Sequence, residues 1–139
     1  MKLISRLAMI CACGVMLTSG HGVSADEPPT VTAFEIQQYI GVQEGDRVRF
    51  EGICTVESSR YGYSTTVASD PGGGDWAGIQ IYDGGEQRLV AERGEYLVAV
   101  GEIDEYYDKT EITCINESEY PPQALNEFGV LPQPLAATV

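Results

Sequence analysis

The segment Gly45-Asp46-Arg47-Val48-Arg49-Phe50-Glu51-Gly52 has an echo farther along the chain, Gly94-Glu95-Tyr96-Leu97-Val98-Ala99-Val100-Gly101. Each copy opens on a Gly-acid pair suited to a turn, alternates apolar with other residues at the two-residue period of a strand, and meets a second glycine inside that strand. A glycine in such a place marks a bulge, a sharp bend or the close approach of another backbone. Two strands that must both coil sharply predict a small closed β-barrel.

Working outward, the first strand covers residues 47–57 and curves at Gly52 from one sheet into the other. A loop at 58–63 leads to a second strand at 64–69, rich in β-branched residues, and Asp70-Pro71-Gly72-Gly73-Gly74-Asp75 is a turn. The third strand, 76–82, sets Ile79 and Ile81 on one face before Asp83-Gly84-Gly85 ends it. Residues 87–92 suit one helical turn, the fourth strand runs over 96–105, and the fifth over 109–115. Five strands, a Gly-rich second turn and a short helix or turn between the third and fourth strands describe an all-β OB-fold, a five-stranded Greek-key barrel. The barrel is expected over residues 32–120, with 32–39 as a short strand or helical turn across one end. A flexible lead-in at 26–31 and a Pro-containing tail of irregular chain at 121–139 flank it. Leu131-Pro132 and Pro134-Leu135 read as a passage toward a further module of a longer protein.

The N-terminus has the three parts of a secretory leader: Lys2 and Arg6, an apolar core from Leu7 to Leu17, and Val23-Ser24-Ala25 as a small-x-small cleavage site. Residues 1–25 are therefore expected to be a signal peptide, and the protein secreted or periplasmic. A lipoprotein anchor at Cys13 fits less well, because Ile10-Cys11-Ala12 is a poor lipobox inside the apolar core. The leader holds two of the eight basic residues, none of the 21 acidic ones and the single histidine, His21. What remains has six basic against 21 acidic residues, a formal charge of −15 and no imidazole. That composition excludes Ser-His-Asp and Cys-His nucleophile systems and His-ligated zinc. Cys54 and Cys114 fall on inward strand positions in an oxidising compartment, which favours a disulfide between them; the other reading is two buried, inert thiols.

The succession Thr32-Ala33-Phe34-Glu35-Ile36-Gln37, Gly45 through Gly52, Asp70-Pro71-Gly72-Gly73-Gly74-Asp75-Trp76-Ala77-Gly78-Ile79, Gly101-Glu102-Ile103-Asp104-Glu105-Tyr106-Tyr107 and Thr110-Glu111-Ile112 resembles exported bacterial OB-fold domains. Such domains accompany extracellular nucleases and other cell-surface multidomain proteins. The likeness spans most of residues 32–135. It departs in the second strand, where Thr65-Thr66-Val67-Ala68-Ser69-Asp70 replaces a bulky apolar strand ending in Gln-Asp. The resemblance implies an accessory role and carries over no catalytic residue, chemistry in those nucleases belonging to a separate domain.

OB-folds bind on the face of their second and third strands, between the first-to-second and fourth-to-fifth loops. Here those loops supply Arg60, Tyr61 and Tyr63, and Tyr106, Tyr107 and Lys109; Trp76 offers a further aromatic platform. Flat aromatics hold bases or sugar rings by stacking, so the expected ligand is an oligosaccharide or single-stranded nucleic acid. The competing reading of the tyrosines is half-buried packing at the barrel ends. Charge opposes nucleic acid unless Arg47, Arg49, Arg60 and Lys109 form a local patch. Asp70, Asp75 and Asp83 are weak candidates for Ca²⁺, having hard oxygens without EF-hand spacing, and acids beside glycine are ordinary turn formers. With 21 acids some carboxylate pair always exists, and Glu102, Asp104 and Glu105 read as a solvated strand face rather than an enzyme site. The sequence thus points to an exported, noncatalytic binding or accessory module. Its alternatives are a structural or protein-interaction module of a larger surface protein, with a protein partner at the cell surface, and the accessory OB domain of an extracellular nuclease.

Overall fold

Val48, Phe50 and Cys54 are fully buried while Arg47 and Glu51 face solvent, so the alternation of the opening segment is realised in space. The computed structural model describes residues 27–62, 64–85, 89–114 and 121–133. The leader, Tyr63, residues 86–88, 115–120 and 134–139, and the side chain of Tyr61 lie outside the described residues.

In chain order the elements are β1 (Thr30–Val31), α1 (Ala33–Gln37), β2 (Arg47–Val56), a 3-10 turn (Ser58–Tyr61), β3 (Thr65–Ser69), β4 (Gly78–Tyr82), β5 (Glu95–Glu105), β6 (Thr110–Thr113) and β7 (Gln123–Phe128). β2, β3, β4, β6 and β5 follow one another around the sheet, and β2 pairs back onto β5 to close the barrel. Neighbours are antiparallel except β4 and β6, which run parallel. This is the expected OB-fold. Residues 89–92, in the stretch expected as a helix or turn, are non-helical, and the chain turns at Arg93 and Gly94 before β5.

The two inner glycines explain how so small a barrel closes. A Cβ on Gly52 would lie 2.4 Å from the Phe50 ring and 2.8 Å from the Ser69 carbonyl oxygen; one on Gly101 would lie 2.4 Å from the Thr113 carbonyl oxygen. At Gly101 β5 passes from β2 to β6, for Glu102 pairs with both Arg47 and Thr113. Ile36 of α1 plugs the interior, which Phe50, Ile79, Ile81, Leu97, Ile103 and Ile112 fill. Each such side chain contributes about 1.5–3 kcal/mol on burial.

Two flanking segments differ from expectation. The lead-in forms β1, whose two residues pair parallel with Arg49 and Phe50. The tail forms β7, antiparallel to β5, although its sequence has no clean alternation and lies between prolines. Beyond that ladder, the buried Glu95 carboxylate ties it down by accepting the Asn126 amide at 2.8 Å, while its other oxygen takes the Glu92 amide at 2.9 Å.

The expected Cys54–Cys114 disulfide is not formed. Ile53 pairs with Tyr96 and Thr113 with Glu102, so along β5 the cysteines differ in register by about 20 Å and belong to separate walls. A disulfide requires Cα atoms within about 7 Å. The Cys54 thiol instead donates to the Ala91 carbonyl at 3.8 Å, and burial, with the Glu57 and Glu95 carboxylates, pushes its pKa up to about 11. A thiol reagent at neutral pH should leave both cysteines unlabelled until the protein is unfolded, and reductant should leave the melting temperature unchanged. A fall of several degrees on reduction would contradict this.

Candidate ligand-binding groove

The β5–β6 hairpin is as tight as a hairpin can be. Tyr106 and Lys109 exchange backbone hydrogen bonds at 2.9 and 3.1 Å, and the two central residues, Tyr107 and Asp108, have φ of 50° and 58°. Positive φ at both positions is the type I′ turn that matches strand twist. Aspartate tolerates this conformation; a tyrosine rarely adopts it. The turn lifts Tyr107 to 82% exposure with its ring edge-to-face on Tyr106 at 4.5 Å.

Below the turn, the Glu105 carboxylate accepts hydrogen bonds from the Tyr39 and Thr110 hydroxyls, bracing the hairpin against the loop after α1. The bond from Thr110, then that from Tyr39, holds the Glu105 carboxyl below its ordinary pKa, and the Glu105 hydrogen bond chiefly raises that of Tyr39. Because the folded pKa of Glu105 is depressed, its stabilisation is complete above the ordinary value of about 4.3 and is lost as pH falls through the folded one. The melting temperature of the wild type should exceed that of Glu105→Ala by a constant margin from pH 5 to 8, shrinking below about pH 4. A margin that persists at pH 3 would contradict the brace.

Trp76 is presented by a loop tied at several points. The Asp70 carboxylate accepts the Ala33 and Phe34 amides at 2.7 and 3.1 Å, capping α1 beside its Thr32–Glu35 capping box. Gln37 of α1 donates to the Gly78 carbonyl at 2.9 Å, and Gly73 lies against Pro132 of the tail. Held this way, Trp76 has φ 60° and is 60% exposed. A bulky residue in the left-handed region is strained, and such strain is common at functional sites.

Trp76, Lys109 and Gln37 surround a cleft of about 420 Å³ whose floor is Val67, Gly78 and Gln80. A second cleft of about 360 Å³ lies between Tyr82, Tyr106, Asp104 and Glu111, again against Gln80. Gln80 lines both, so the two clefts adjoin on the outer face of β4 in a groove across β3, β4 and β6, each with the room typical of a small-ligand site. Asp104 and Glu111 are directly opposed cross-strand partners. Glu111 is only 4% exposed and accepts from the Gln80 amide at 2.7 Å; burial, then the neighbouring Asp104 charge, raises its pKa.

Of the residues singled out in the sequence, the fold thus gathers Trp76, Tyr106 and Lys109 along one groove, with Tyr107 at the hairpin tip. Arg60 lines neither cleft and pairs with Glu57 at 3.2 Å, while Arg49 pairs with Glu51 at 2.8 Å. Tyr63 and the Tyr61 ring fall outside the described residues. The three calcium candidates are not brought together: Asp70 caps α1, buried Asp83 accepts the Gly85 and Leu89 amides at 3.1 and 3.3 Å, and Asp75 lies exposed in its loop. Among the described residues no group of three or more potential ligands could hold a metal ion. Gln80, Tyr82 and Glu111 were not among the expected site residues. Strand parity could have found them, since with Ile79, Ile81 and Ile112 inward their neighbours must point out. No protein-family model matches the chain, and no curated protein is significantly similar to it.

Proposed function

We propose that the protein is an exported, noncatalytic OB-fold module that holds an oligomeric ligand across the outer faces of β3, β4 and β6. The observation that carries this reading is a strained, exposed Trp76 at one end of a groove whose other end carries Tyr106 and Tyr82. A strained tryptophan with most of its surface in solvent adds little packing to the barrel and is well placed to stack on a flat ligand. The leader and the resemblance to exported accessory domains support placement outside the cytoplasm, and no helix among the described residues is long and apolar enough to cross a membrane. An accessory role beside a catalytic domain, as in extracellular nuclease systems, is compatible with this reading. Leu125, Phe128 and Val130, exposed on and just beyond β7, favour as a second reading a protein-interaction module of a larger surface protein.

Trp76 is the only tryptophan, so its fluorescence reports on the groove directly. Titration with xylo-, cello-, manno- and chitohexaose and with an oligothymidylate should produce a saturable change for at least one of them. Silence across the panel would end the groove reading and leave the protein-interaction module.

A further inference from the structure

Resting on the groove as the ligand site, we propose that its ligand is an uncharged, hydroxyl-rich oligosaccharide. The chain would lie along β4 with one ring on Trp76 and the hydroxyls of a later residue on the Asp104–Glu111 pair.

The floor of the groove is the first reason. Asp104 and Glu111 are directly opposed on antiparallel β5 and β6 and both line the second cleft, so two carboxylate side chains stand as neighbours on one face. Like charges in that position repel, and Glu111 is buried as well. Hydroxyl donors bridging the two carboxylates relieve both costs, whereas a phosphate or uronate would bring a third negative charge against them. The Gln80 amide donates to Oε2 of Glu111, the Thr113 hydroxyl to its Oε1 at 3.5 Å and the Glu105 amide to Oδ1 of Asp104 at 2.9 Å, which holds both carboxylates in place while each oxygen keeps a lone pair for a further donor.

Shape gives the second reason. Gly78 has no side chain, and a Cβ there would meet only the Ala68 carbonyl at 3.9 Å, so the floor beside Trp76 is flat and open. The apolar face of a sugar ring fits between that backbone and an indole. From Gly78 to Tyr82 the groove follows β4 for about 13 Å, room for more than one ring. Charge distribution is the third reason. Arg49 and Arg60, two of the cations a polyanion would need, are spent on Glu51 and Glu57, and among the described residues lining the groove the cation is Lys109.

The test is calorimetric titration of the mature protein with the four neutral hexaoses, with oligogalacturonate and with an oligothymidylate, on the wild type, Trp76→Ala and Asp104→Asn. Unchanged circular dichroism and melting would establish that both variants fold. The expected result is binding of at least one neutral hexaose, insensitive to salt, weakened about tenfold or more by Trp76→Ala. Asp104→Asn should weaken it severalfold, because one acceptor becomes a donor. Binding of oligogalacturonate or the oligothymidylate but of no neutral hexaose, lost in Trp76→Ala, would overturn the glycan assignment and leave the groove as the site. Absence of binding by every probe would overturn both.

Discussion

Alanine in place of Gly101 will cost the protein a large part of its stability. The added Cβ would stand 2.4 Å from the Thr113 carbonyl oxygen and 2.8 Å from Cγ2 of Ile112, where β5 leaves β2 for β6. Neither neighbour can yield cheaply: one is the backbone of the adjacent strand, the other a fully buried core side chain. Overpacking of this kind costs about 1–3 kcal/mol, and with backbone as the obstacle the upper end is expected. For a domain of this size that lowers the melting temperature by about 10 °C or more. Gly72→Ala is the matched control. It lies in the turn between β3 and β4, and a Cβ there meets nothing within 4 Å. The same substitution should therefore be neutral or slightly stabilising, by restricting the unfolded chain. Equal melting temperatures for the two variants would refute the steric account of how the barrel closes.

Phe50→Ala should be the most damaging single change in the core. Phe50 is the largest fully buried side chain, and its removal is expected to cost about 3–5 kcal/mol, against roughly 5–15 kcal/mol for a whole domain. Its ring also occupies the space that a Cβ on Gly52 would need. The two sites must then be coupled. Gly52→Ala should be strongly destabilising in the wild type and less so in the Phe50→Ala background, where the Ser69 carbonyl at 2.8 Å remains the obstacle. Urea denaturation of the four proteins of this cycle measures the coupling; additive effects would show that the ring does not fill that space.

Those two glycines are also where the sequence was most legible. Gly52 and Gly101, each inside an alternating run, imply coiled strands, and Ile79 and Ile81 give the parity of β4. Local chemistry of this kind does not depend on distant partners. β7 was not legible, because Gln123 to Phe128 lacks alternation and is held by a carboxylate, Glu95, that lies in another strand. The disulfide failed for the related reason that strand parity gives inside or outside but not which wall. Aromatics marked Trp76 and Tyr106 as candidates and strand parity could have added Gln80 and Glu111, whereas the pairing of Asp104 with Glu111 became visible only with the register. Arg60 illustrates the converse: its loop suggested a site, and its side chain closes on Glu57.

The proposed function requires that ligand lie across β3, β4 and β6 and nowhere else on the barrel. Amide chemical shifts of isotopically labelled protein, followed during titration with the neutral hexaoses, test it residue by residue. Shifts should concentrate at Val67, Gly78, Gln80, Lys109 and Glu111 and at the Trp76 indole N–H. Shifts gathered instead around Ser58, Ser59, Val90 and Arg93, where a separate hollow of about 440 Å³ lies, would contradict it.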